Sequence, residues 1–97
     1  MTWQPVVTPL FRRRKKRAAR PLQEAIDSAA RAILTNSLIG EPKVGALKGA
    51  RVYKFNHHNL EYPVAYQLET RKRPIQFLAV GPHENFNRDL HRTLRRR

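Results

Sequence analysis

Tyr62-Pro63-Val64-Ala65-Tyr66-Gln67-Leu68-Glu69 places Tyr62, Val64, Tyr66 and Leu68 on one side of an extended chain and Pro63, Ala65, Gln67 and Glu69 on the other. A period of two is the signature of a β-strand, and the flanking sequence extends it into a sheet. Ala50 to His57 is rich in β-formers through Val52, Tyr53 and Phe55, and Asn59 lies in the turn between the two runs. Thr70 to Arg73 predicts a second turn, Pro74 to Val80 is apolar enough for an inner strand, and Gly81-Pro82 breaks it. Phe86, Leu90 and Leu94 then recur at i, i+4 and i+8, which predicts a final amphipathic helix from His83 to about Leu94.

Upstream of the sheet the period changes. Glu41 to Gly49 is rich in Gly, Pro and Lys and reads as a loop. Leu22, Ile26, Ala29, Ala30, Ile33 and Leu34 repeat at helical spacing, closed by Asn36 to Gly40. Pro21 separates this helix from a basic one running from Pro9 to about Ala19, with Thr8 as its cap and Pro9 at the first helical position. Trp3 to Val7 reads as a short strand, which Pro5 assigns to a sheet edge or a strand start. The order β-α-α-β-β-β-α predicts an α+β fold: an N-terminal strand and helical hairpin packed on a twisted antiparallel sheet, with a C-terminal helix. We expect the last three strands to form a meander with the helices on one face, leaving the other as a concave, solvent-facing surface.

The chain has 97 residues, room for a single domain (1–97). It holds 20 Lys and Arg against 7 Asp and Glu, a net charge of +13, and its pI is about 11.5. Such a charge calls for a polyanionic partner. The absence of cysteine excludes disulfides and thiolate metal sites, and four histidines without a His-x-x-x-His pair point to no metal and no cofactor. No apolar run approaches the length of a membrane span, and Met1 to Val7 lacks the features of a secretory signal. A soluble, cytoplasmic protein is expected, with no membrane partner.

The charge is concentrated. Arg12, Arg13, Arg14, Lys15, Lys16, Arg17 and Arg20 form a block with no acid inside it, dense enough to require phosphates or an acidic partner. Lys54, Asn56 and His58 share parity on a strand whose other side carries Tyr53 and Phe55, so they form a polar row suited to a phosphodiester. His83 opens the last helix, where anions are attracted and an imidazole can move protons near neutral pH.

Val52-Tyr53-Lys54-Phe55, Val64 to Leu68, and above all Gly81-Pro82-His83-Glu84-Asn85-Phe86-Asn87-Arg88-Asp89-Leu90 resemble the RelE/ParE superfamily of toxins from type II toxin–antitoxin modules. Leu47 to Arg51 also fits. In the family the last segment typically reads Gly-x-His-Glu-x-Phe-Tyr-Arg-Asp-Leu. The resemblance implies a helical hairpin against a twisted antiparallel sheet, and an antitoxin that wraps the toxin. RelE-like members cleave mRNA in the ribosomal A site, whereas ParE-like members inhibit DNA gyrase. Lys54 keeps a lysine that is catalytic in RelE-like members, while Asn56 and His58 stand where they have lysines. Pro63 and His83 replace arginines, some relatives carry a catalytic histidine in the context of His83, and Asn87 replaces an aromatic.

These readings together predict a ribosome-dependent mRNA endonuclease using metal-free attack by the substrate 2′-OH. The candidate catalytic residues are His83, His58 and Lys54. The candidate RNA- or phosphate-binding residues are Arg12, Arg13, Arg14, Lys15, Lys16, Arg17, Arg51, Asn56 and Arg88. Expected partners are a cognate antitoxin with an acidic or amphipathic segment, the ribosome and mRNA, and operator DNA only through the antitoxin complex. The alternatives are a non-catalytic gyrase inhibitor and a non-toxic basic nucleic-acid-binding protein.

Overall fold

A computed structural model describes residues 4–68, 74–81 and 83–95. The chain forms β1 (Gln4–Val7), α1 (Pro9–Arg17), α2 (Arg20–Thr35), β2 (Glu41–Pro42), a 3-10 turn at Gly45–Leu47, β3 (Arg51–His57), β4 (Leu60–Leu68), β5 (Pro74–Val80) and α3 (His83–Arg95). The predicted turn at Thr70 to Arg73 and the position of Trp3 lie outside the described residues.

The cap of α1 is local chemistry at work. Thr8 Oγ1 accepts the Phe11 N–H at 3.1 Å, satisfying one of the helix's orphan donors. The same hydroxyl donates to the Leu78 carbonyl at 3.0 Å, so the cap also fixes α1 to β5. The second helix starts at Arg20, one residue before the expected break, with Pro21 accommodated in its first turn, where no N–H is needed. Gln23 Nε2 donates to the Lys16 and Ala18 carbonyls and closes the hairpin joint.

The sheet order is β1-β5-β4-β3-β2. As expected, β3, β4 and β5 form an antiparallel meander. The edge position of β1 agrees with Pro5, but β1 runs parallel to β5, so the complete sheet is mixed. The parallel pairing follows from topology: β1 enters the sheet beside the last strand, not beside its sequence neighbour. A short β2, within the segment read as a loop, pairs with the start of β3.

The two sides of the sheet have separate cores. Phe11, Ile26, Ala29 and Ile33 of the helical hairpin pack against Val64, Tyr66, Ile75, Phe77 and Val80. On the opposite face, Phe86 and Leu90 of α3 cover Ala50, Val52, Ala65, Leu78 and Ala79, with Leu47 and Leu94 at the margin. This corrects the expectation that all helices share one face. The stripe Phe86, Leu90, Leu94 shows that α3 buries one side, but its partner is the face expected to be open. An irregularity between Ala65 and Tyr66 in the β4–β5 ladder places both Leu78 and Ala79 in this second core.

Tyr66 helps to fasten the segment between α2 and β3. Tyr66 OH accepts the Gly40 N–H at 2.9 Å and donates to the Ser37 carbonyl at 2.8 Å. A Cβ on Gly40 would lie 2.9 Å from the Tyr66 ring and from the Val52 backbone, so only glycine fits this approach.

Candidate functional site

α3 covers Val52 and Ala65 but leaves part of β3 exposed on the same face, although Pro63 of β4 beside it is buried. Lys54 and Asn56 lie on this strip of β3, on the same side as Val52, and both are exposed. Lys54 is directly opposite Pro63, and Asn56 opposite Glu61. The Pro63 carbonyl accepts the Gly81 N–H at 3.3 Å. In an antiparallel ladder a residue's N–H and C=O face the same neighbour, so Pro63 directs its missing donor toward the end of β5. That is why a proline is tolerated in an inner strand, where it would otherwise break a ladder bond. It also makes Lys54 and Pro63 a pair without mutual hydrogen bonds, the closer of the two cross-strand spacings.

Lys54, Pro63 and Gly81 are thus consecutive steps across the sheet, and α3 begins at His83, two residues beyond Gly81. The N-terminus of α3, with its outward-pointing N–H groups and positive dipole end, thus starts two residues past a position two strand spacings, about 10 Å, from Lys54. The His83 side chain lies outside the described residues. Lys54 Nζ is 3.8 Å from Glu61 Oε1, with both side chains more than half exposed. An ion pair of this kind holds its partners weakly.

The expected row of Lys54, Asn56 and His58 is interrupted. β3 ends at His57, which pairs with Leu60. His58 and Asn59 form a two-residue turn with φ of 51° and 64°. Positive φ at both central positions is the mark of the hairpin turn that matches strand twist. Strand parity therefore does not assign His58 to a face. The ring of His58 meets that of His57 edge-on at 4.2 Å, and His57 in turn meets Tyr62.

Arg51 has a different assignment from the phosphate-binding role expected of it. Its Nε donates to the Gly40 carbonyl at 3.0 Å and its Nη2 to the Leu38 carbonyl at 3.1 Å. These bonds tie the α2–β2 connection to β3, and Arg51 shares the parity of Tyr53 and Phe55, not of Lys54. Sequence spacing carries no sign of this, because the carbonyls lie in an irregular segment.

The basic block forms α1, and the structure divides it by face. Arg12, Arg13, Lys16 and Arg17 are exposed. Lys15 pairs with Asp27 of α2. Arg14 Nε and Nη2 donate to Asp89 Oδ2 at 3.1 Å and Oδ1 at 3.3 Å. Asp89, on α3, is 2% exposed and is the one buried charged residue among those described. Sequence reasoning missed this carboxylate, whose partner is 75 positions away. Around the pair, α1 and α3 enclose a cavity of about 540 Å³ lined by Arg13, Arg14, Arg17, Arg88, Asp89 and Arg92, among others. Arg88 is therefore part of this cleft. No helix among the described residues is long and apolar enough to cross a membrane.

Among the solved structures that share this architecture are two of toxins. The toxin–antitoxin complex RelBE2 from Mycobacterium tuberculosis contains a chain that matches with a TM-score of 0.75 at 16% identity, covering 86% of this chain and 100% of that one. A mutant form of Escherichia coli toxin RelE in the free state matches with a TM-score of 0.79 at 14% identity, covering 99% of this chain and 98% of that one. At these identities the likeness is one of fold. No curated protein matches in sequence. Residues 6–91 match the family model of the ParE-like toxin of type II bacterial toxin–antitoxin systems. With that match spanning the hairpin, the sheet and most of α3, the chain belongs to the ParE-like toxin family of type II toxin–antitoxin modules.

Proposed function

We propose that this toxin is an mRNA endonuclease that acts on the translating ribosome in the cytoplasm. The observation that supports this reading is the alignment of Lys54, Pro63 and Gly81 across the sheet, which puts an exposed lysine two strands from the residue that precedes the turn into α3. Lys54 and Asn56 are exposed, as a polymer substrate requires, and their groups suit transfer at phosphorus.

In the proposed step the 2′-oxygen of the substrate attacks the adjacent phosphorus. A P–O2′ bond forms and the P–O5′ bond breaks, leaving a 2′,3′-cyclic phosphate and a 5′-hydroxyl. One group removes the 2′ proton and another donates a proton to O5′. His83 serves as acid or base, with His58 as the candidate second group. Lys54 and the N–H groups at the start of α3 stabilise the charge that develops on the phosphorane. Asn56 donates to a phosphate oxygen. Arg12, Arg13, Lys16, Arg17 and Arg88 hold RNA through salt-dependent phosphate contacts. A cognate antitoxin with an acidic or amphipathic segment covers the Lys54 strip and the cationic surface, and stabilises the folded toxin by mass action.

A second reading, inhibition of DNA gyrase without catalysis, is favoured by Pro63, which puts a group without charge opposite Lys54. Purified 70S ribosomes programmed with a defined mRNA separate the two. The endonuclease reading predicts cleavage by the wild type and at least a 100-fold loss in Lys54→Ala and His83→Ala. Growth arrest and inhibited DNA supercoiling without cleavage would establish the second reading.

A further inference from the structure

The cleft between α1 and α3 is built differently from the Lys54 strip. Arg13 and Arg17 are four residues apart on α1, and Arg88 and Arg92 four apart on α3, so each helix presents a pair of guanidinium groups on one face. The pairs line the same cavity of about 540 Å³, with Gln76 of β5 and Thr8 at its wall. Among the described residues the only carboxylate in the lining is Asp89, and both its oxygens are taken by Arg14. Thr93 Oγ1 donates to the Asp89 carbonyl at 2.9 Å, which keeps this turn of α3 in place. The Arg14–Asp89 bridge therefore fixes the two helices relative to one another without neutralising the cavity. Among the described residues, Arg13, Arg17 and Arg92 have no carboxylate within ion-pairing distance.

We infer that this cleft is a phosphate-binding subsite, distinct from the cleavage strip, which takes successive backbone phosphates of a single RNA strand between Arg13 and Arg17 on one side and Arg92 on the other. The inference rests on the reading of α1 as an RNA-binding helix but not on cleavage. The planar fork of arginine matches phosphate oxygens two at a time, and two arginines spaced by one turn of α1, about 6 Å along its axis, across from Arg92, fit a chain of anions better than a lone one. The rim continues outward: Arg88, His91, Arg92 and Arg95 line an adjoining depression, which gives a strand a cationic exit path along α3.

The test uses the full chain. The Nε–Hε resonances of Arg13, Arg17 and Arg92 are followed by NMR during titration with a twelve-residue oligouridylate, with inorganic pyrophosphate and with a twelve-residue polyglutamate. Binding of the RNA is measured in parallel across a salt series for wild type, for Arg13→Gln/Arg92→Gln, and for the charge-matched Arg31→Gln/Lys43→Gln outside the cleft. The subsite predicts that RNA shifts the three resonances, and that the cleft variant lowers the salt slope by about 1.4, the value for two phosphate contacts on a single strand, with the control changing it far less. Pyrophosphate that shifts the same resonances but fails to compete with RNA at equal concentration supports the backbone as the source. Pyrophosphate that displaces RNA identifies a free polyphosphate site and overturns the RNA assignment. Equal slopes in the two variants, no resonance shifts, or tighter binding of polyglutamate than of RNA would also overturn it. Lys54→Ala should abolish cleavage and leave the cleft titration unchanged, so the two proposals fail separately. Unfolding curves for every variant exclude loss of fold as the cause.

Discussion

Asp89 and Arg14 join the last helix to the first through two parallel hydrogen bonds across 75 residues of sequence. The carboxylate is almost wholly buried, while the Arg14 side chain keeps 33% exposure. The bridge is therefore asymmetric. If Asp89 is removed, Arg14 turns to solvent. If Arg14 is removed, a buried carboxylate is left without its counter-charge, the costly case. Arg14→Ala is expected to lose about 2–3 kcal/mol of unfolding free energy and Asp89→Ala about 1 kcal/mol, allowing for solvent on the arginine side. Chemical denaturation of the two single variants and the double variant measures both costs and their coupling.

The Tyr66 hydroxyl fastens the α2–β2 connection together with Arg51, through bonds to the Gly40 N–H and the Ser37 carbonyl. Tyr66→Phe leaves both groups without this partner and is expected to cost about 1–3 kcal/mol. Gly40→Ala forces a Cβ to 2.9 Å from the Tyr66 ring and the Val52 backbone, so it should destabilise by a similar or larger amount. Thermal unfolding of each variant checks the order.

Thr8 has two duties, as the cap of α1 and as a donor to β5. Thr8→Ala should cost about 1–2 kcal/mol, at the upper end for a cap, and Thr8→Ser should restore most of it. Equal stability of all three forms would show that the hydroxyl is not engaged.

The β3–β4 turn places a histidine and an asparagine at positive φ. Asn-Gly is the preferred pair for such a turn. Relief of a left-handed cost of about 1–2 kcal/mol outweighs the entropic cost of glycine, about 0.5–1 kcal/mol, so His58→Asn/Asn59→Gly should raise stability by about 0.5–1 kcal/mol. The same variant tests His58 as the second proton carrier: cleavage lost in a more stable protein assigns it a chemical role, and cleavage retained removes it from the mechanism.

What sequence conveys here depends on distance along the chain. The Thr8-Pro9 cap, the alternation from Tyr62 to Leu68 and the helical stripe of α2 are set by neighbours a few residues apart, and each forms as read. The stripe Phe86, Leu90, Leu94 fixes that α3 is amphipathic, but the sheet face it covers is a tertiary choice between two apolar surfaces. The parallel pairing of β1 with β5 is invisible for the same reason. His58 escaped its expected row because two non-glycine residues adopt positive φ, a turn that carries no Asn-Gly signal. In the candidate site, Lys54 and Asn56 were readable by parity, while Arg51 and Asp89 were not, since each is defined by a partner remote in sequence. The buried Asp89 stands out only once Arg14 is seen beside it.

The central claim is that Lys54 and the start of α3 form a site that cuts mRNA on the ribosome. Its most direct test is induced expression of the chain without antitoxin, followed by primer extension on a translated message, for wild type, Lys54→Ala and His83→Ala. The account predicts new 5′ ends in register with codons in the wild type, absent when translation of that message is blocked, and lost in both variants. Growth arrest with no such ends, or codon-register ends that persist in both variants, would contradict it.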